Sequence, residues 1–124
     1  MGVVPLTSLR GEALWHGDII RLPFDYMYGP GSDGVDLIVH EDRGNFGLSV
    51  MPVTGRKAGL VWTTLPPDSC PEGTRSIDVN WLCDNWQTWF AYGHDPDKPL
   101  EAIPIEEVVV LRCDTYSIVA RGAD

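Results

Sequence analysis

Asp78-Val79-Asn80-Trp81-Leu82-Cys83-Asp84-Asn85-Trp86-Gln87-Thr88-Trp89-Phe90 is the stretch on which the fold turns. Asp78 is suited to cap a helix, because its carboxylate can accept early backbone N–H groups that no carbonyl reaches. Leu82, Trp86, Trp89 and Phe90 then fall at i, i+4, i+7 and i+8, one stripe of a 3.6-residue period. Asn80, Asp84 and Gln87 lie mostly off that stripe. The spacing predicts one helix over about 78–90, with Gly93 and Pro96 ending it and Trp86 and Trp89 facing a core. Trp81 sits about a third of a turn from the stripe's centre. Asn85, between apolar turns, is expected to bond a nearby backbone group and pin the helix to a strand or loop.

Outward from this helix the period changes to two. Asp18–Leu22, Val35–His40, Phe46–Val53, Ala58–Leu65, Glu106–Cys113 and Tyr116–Arg121 read as strands, with Pro23, Pro52 and Pro66-Pro67 stopping or edging them. Residues 3–15 read as a lead-in with a short helical turn around Ser8–Leu14. Tyr26–Gly34, rich in glycine, is a loop, as is the polar stretch up to Pro104. Asp114-Thr115 is placed to join the last two strands as a hairpin. The expectation is an α+β domain, β-rich, with a twisted, mostly antiparallel sheet and one main helix packed on it. With 124 residues and no repeat or linker, residues 1–124 form one domain.

Eighteen acidic residues against nine basic ones give a net charge of −9. Nucleic acid and anionic membranes repel such a chain, so neither is expected as a partner, whereas a basic protein surface is favoured. No apolar run reaches the length of a membrane span, and no basic-then-apolar opening marks a secretory signal, so the cytoplasm is the expected location. Met1-Gly2 lacks the serine or threonine at position six that myristoylation uses, since Leu6 stands there.

Candidate chemistry is sparse. Cys70, Cys83 and Cys113 are odd in number and lack CxxC spacing, so neither a disulfide framework nor a zinc knuckle is expected. His16, His40 and His94 are far apart in sequence, although folding can bring two together. Beside Asp84, the Cys83 thiol is expected to be discouraged from ionising. His94-Asp95-Pro96-Asp97 lacks the later ligands and central glycine of a calcium loop. Glu106 and Glu107, as neighbours in a strand, would point to opposite faces and could not converge on one substrate. No nucleophile elbow, HExxH or phosphate-binding glycine loop occurs. The residues predict a binding protein, not an enzyme, with no metal and no cofactor. Tyr26 and Tyr28, in a loop beside Asp33 and Asp36, are the best contact candidates, with Asp33, Asp36, Glu41 and Asp42 as rim carboxylates.

The block from Gly55-Arg56-Lys57-Ala58-Gly59-Leu60 through Leu65-Pro66 to Asn80-Trp81-Leu82-Cys83-Asp84-Asn85-Trp86-Gln87-Thr88-Trp89 resembles the immunity protein 45 family. Val108-Val109-Val110-Leu111 fits the same pattern. The similarity runs over roughly residues 47–111, and the N-terminal third and last strand match loosely. The resemblance implies an antitoxin encoded beside a bacterial polymorphic toxin, and it carries over no catalytic residue. Trp81, Asn85, Trp86 and Trp89 then read as scaffold, leaving specificity to the acidic loops. The implied partner is the catalytic domain of a cognate toxin, occluded at its active site. The chain's acidity leans toward a nuclease, whose basic groove carboxylates can engage as phosphate does. Two other readings stay open. A small-molecule module would need an aromatic cavity lined by Trp15, Trp62 or Trp89. An enzyme would need His40 or His94 clustered with acids.

Overall fold

A computed structural model describes residues 3–25, 30–41, 48–54, 63–71, 74–92 and 96–112. Ten strands are found there: β1 (Val3–Pro5), β2 (Ala13–Leu14), β3 (Ile19–Leu22), β4 (Val35–His40), β5 (Ser49–Pro52), β6 (Thr63–Thr64), β7 (Ile77–Asp78), β8 (Ala91–Tyr92), β9 (Glu101–Ala102) and β10 (Val109–Leu111). Two short helices, α1 (Val79–Asp84) and α2 (Trp86–Trp89), stand between β7 and β8. Six strands form one sheet in the order β1-β10-β3-β4-β5-β6, and every pairing in it is antiparallel. β2 pairs with β7, and β8 with β9, as separate two-stranded ribbons. The result is the β-rich α+β architecture that the alternating periods predict.

The sheet buries one face. β4 alternates without exception, with Val35, Leu37 and Val39 buried and Asp36, Ile38 and His40 half-buried. That is the signature of a strand packed on one side only. Its register aligns Val110, Ile20, Leu37 and Pro52 into a buried row across four strands. Pro52 occupies the last position of β5 and ends it, as its sequence predicts. Before β4, Gly34 is required by space: a Cβ there would lie 2.7 Å from the Leu22 carbonyl oxygen.

Leu82, Trp86 and Phe90 close the core from the helical side. Trp86 and Phe90 stack nearly parallel at 4.0 Å between ring centroids, and burying each ring is worth roughly 3 kcal/mol relative to exposure. Trp86 Nε1–H donates to the Ile103 carbonyl at 2.6 Å, and Ile103 N–H donates to the Phe90 carbonyl at 2.9 Å. The indole's polar atom is therefore satisfied in a buried setting, and the same two bonds tie α2 to the segment after β9.

Asp78 caps α1 as expected, its carboxylate accepting the Asn80 N–H at 3.1 Å. The single helix over 78–90 is instead two, broken at Asn85, whose φ of −112° and ψ of 11° leave the helical range. The cause is Asn85 itself. Both its backbone N–H and its side-chain Nδ2–H donate to the Trp81 carbonyl, each at 2.9 Å, so a side chain competes for the helix's own acceptor. Asn85 thus bonds within its own helix and does not pin it to a strand or loop. The break leaves Trp89 only half-buried, its ring 6.3 Å from that of Trp81.

Other boundaries shift as well. The helical turn expected around Ser8–Leu14 is a 3₁₀ turn at Leu6–Leu9, which buries both leucines, and Ala13–Leu14 is strand. The polar stretch before Pro104 contains β9, and β8 follows the helix before Gly93. Ile105–Glu107 is a 3₁₀ turn, so the last described strand begins at Val109 instead of Glu106. Residues 58–62 of the expected fourth strand, Cys113 and the hairpin through 116–121 lie outside the described residues.

Candidate functional site

The expected contact residues fare unevenly. Tyr26, Tyr28 and Asp42 lie outside the described residues, while Asp33 is exposed. Asp36 is committed: Arg21, its cross-strand partner, donates through Nε and Nη2 to both carboxylate oxygens at 2.8 and 3.1 Å. This two-pronged bond holds the Arg21 guanidinium proton more tightly than usual. Glu41 is half-buried and forms an ion pair with Arg75. Two of the acids read as free rim charges are therefore neutralised by arginines of the same chain.

The structure gathers instead a cluster that sequence distance conceals. His16 and His40 meet with ring centroids 5.5 Å apart and planes tilted by 52°. The Glu41 backbone N–H donates to His16 Nδ1 at 2.9 Å. Because Nδ1 accepts, the proton of neutral His16 resides on Nε2, which makes that atom a donor. Arg75 joins through its ion pair with the Glu41 carboxylate, completing a group of His16, His40, Glu41 and Arg75.

The backbone beneath this group is over-determined. Gly17 takes a φ of 97°, a left-handed conformation that suits glycine. Its N–H donates to the Val39 carbonyl at 2.8 Å, and Val39 N–H donates to the Asp18 carbonyl at 2.8 Å. Asp18, only 2% exposed, accepts the Trp15 N–H on Oδ2 at 2.9 Å, while its own N–H donates to the Trp15 carbonyl at 3.0 Å. Arg112 Nε lies 3.4 Å from the same Asp18 oxygen. A buried carboxylate thus locks the 15–18 turn and fixes the residue before His16. That residue, Trp15, is 48% exposed. Trp89 is half-buried beside Trp81, and Trp62 lies outside the described residues.

Chemically the cluster orients donors more than it prepares a reaction. His16 spends one nitrogen on a backbone amide, and the Glu41 carboxylate faces a guanidinium. The Cys83 thiol is pushed up chiefly by burial, with Asp84 adding to the shift and Arg10 opposing it, so it stays protonated. Glu106 and Glu107 lie in a 3₁₀ turn and are both exposed, which removes the strand argument for their divergence. Among the described residues, no three His, Cys, Asp or Glu side chains gather to hold a metal ion, and no helix is long and apolar enough to cross a membrane. His94 lies outside the described residues. The meeting of His16 with His40 was invisible in the sequence, because it depends on Gly17 docking against Val39.

No curated protein and no solved structure matches the chain. The family model of immunity protein 45 matches residues 6–98. The match begins well before residue 47, so the N-terminal third falls largely within it, while the strand ending at Leu111 lies beyond it. It spans β2 through β8, including the 15–18 turn, both histidines of the cluster and the Trp81–Trp89 helices. The chain belongs to the immunity protein 45 family.

Proposed function

We propose that this immunity protein acts in the cytoplasm by binding the catalytic domain of a secreted toxin and occluding its active site. The family match over residues 6–98 carries this reading, since it makes the partner a protein toxin. The net charge of −9 supports a basic toxin surface and, more narrowly, a nuclease whose groove ordinarily takes up phosphates. An acidic protein approaching such a groove gains association rate before it gains affinity. Exposed Asp33, together with Asp42, is assigned to that steering, and Tyr26 and Tyr28 are assigned as contacts. Asp36 and Glu41, engaged by arginines, are assigned to shaping the surface. The protein itself is read as a non-catalytic inhibitor that needs no cofactor.

Co-expression with the C-terminal domain of the effector encoded by the adjacent gene tests the proposal. The expected result is restored growth and a complex that survives co-purification. Growth arrest with no complex refutes it. Reversing Asp33 and Asp42 to lysine is expected to slow association and flatten its salt dependence; unchanged rates at low salt refute the electrostatic part.

A further inference from the structure

We infer that the toxin docks on the corner formed by Trp15, His16 and His40 beside the Glu41–Arg75 pair, and that it presents there an apolar pocket rimmed by oxygen acceptors. The inference rests on the immunity reading above and names the surface that reading needs.

Three observations meet at this corner. The first is Trp15, the largest apolar residue, which is 48% exposed. Half-exposed Trp gains little for the fold and offers a partner much buried area with few rotors to freeze. Leu100 is exposed further, at 67%, but it stands between Pro99 and Glu101 outside the rigid turn, and scattered apolar residues are ordinary.

The second is rigidity. Trp15 and His16 sit on a turn held by the buried Asp18 carboxylate and by the Gly17–Val39 and Val39–Asp18 backbone bonds. Ordering a loop on binding costs affinity, and here the ordering is already done by folding. Three separate chain segments, around residues 16, 40 and 75, supply the corner, so its shape is a property of the tertiary fold.

The third is the hydrogen-bonding polarity. The Glu41 N–H on Nδ1 leaves His16 Nε2–H as a donor, and the Trp15 indole N–H has no acceptor among the described residues. An aromatic anchor with its own donor, followed in the chain by a second donor on His16, selects acceptors such as backbone carbonyls or carboxylates beside an apolar cavity. The whole chain's negative charge then acts at long range, while this nearly neutral corner discriminates at contact.

The test uses the full chain and the effector's C-terminal domain from the adjacent gene, with affinity read by calorimetry and folding by urea melts. Trp15→Ala is expected to weaken binding about 30-fold or more, the scale of an interface anchor. His16→Asn keeps an oxygen near the Nδ1 position for the Glu41 N–H while removing the Nε2–H donor. It is expected to weaken binding about fivefold with an unchanged melt. Leu100→Ala is expected to bind as the parent does. Should Trp15→Ala fail to fold, Trp15→Phe keeps the ring and loses the indole donor, and about fivefold weaker binding is expected. Parent-level affinity, within twofold, for the folded Trp15 and His16 variants overturns the inference while leaving the immunity reading intact. Equal losses for Leu100→Ala and Trp15→Ala also overturn it. If the unaltered protein neither binds nor protects, both fail together.

Discussion

Replacing Trp86 with phenylalanine isolates one hydrogen bond in the core. The substitution keeps an aromatic ring to stack on Phe90, so the 4.0 Å ring contact is largely retained. Two things are lost. The Ile103 carbonyl, buried and bonded to the indole N–H at 2.6 Å, is left without that donor, at a cost of roughly 1–3 kcal/mol. The smaller ring also vacates about 40 Å3, which at about 24 cal/mol per Å3 adds about 1 kcal/mol. Together these predict a destabilisation of about 3 kcal/mol. With a urea slope of about 1.5–2 kcal/mol/M, the midpoint should fall by about 1.5–2 M at unchanged slope. Trp89→Phe is the internal comparison, since Trp89 is half-buried and its indole makes no hydrogen bond among the described residues; about 1 kcal/mol or less is expected there. Equal midpoints for the two variants would refute the view that the Trp86–Ile103 bond joins α2 to the chain beyond β9.

Asp18→Ala removes the carboxylate that holds the Trp15 N–H and faces Arg112. A loss of about 2–4 kcal/mol is expected by urea melting, discounted from a fully buried pair because the Arg112 side chain is 19% exposed. Asn85→Ala deletes the side-chain bond to the Trp81 carbonyl but leaves the backbone donor. Stability should stay within about 0.5 kcal/mol while the circular-dichroism helix signal rises, the helix now running through residue 85. The Tyr92 hydroxyl donates to Glu101 at 2.7 Å, and that bond holds its proton above the usual tyrosine range. Its stabilising contribution is complete below the unfolded value near 10 and is lost as pH rises through the higher folded value. Tyr92→Phe should therefore flatten the alkaline fall in stability, measured by melts between about pH 9 and 11.

The parts of the fold that could be read in advance are those with enough residues to display a period. Val35–His40 shows its one-sided burial over six residues, and Leu82, Trp86 and Phe90 keep their spacing through the break at Asn85. β2, β7, β8 and β9 are two residues each, too short for alternation to register, so Glu101–Ala102 reads as loop and Leu14 as part of a helical turn. The break at Asn85 depends on a side chain choosing its own helix's carbonyl over a distant partner, and local pattern does not weigh that choice. The site was harder still. Asp36 and Glu41 were visible as acids, but their arginine partners, Arg21 and Arg75, are separated from them by 15 and 34 residues, and only register and tertiary contact pair them.

The position of β10 in the sheet sets a schedule for synthesis. It lies between β1 and β3, so the earliest strand of the sheet is held by one translated about a hundred residues later. Until Val109–Leu111 leaves the ribosome, β1 has no neighbour and β3 carries an open edge, with Val4 and Ile20 each lacking the Val110 between them. Closure of so long a loop is slow compared with local pairing of β3, β4 and β5. A nascent chain stalled before residue 109 would present those half-sheets to one another and to other chains. Completion of the sheet is then timed by β10, the last of its described strands, however early the other strands have been translated.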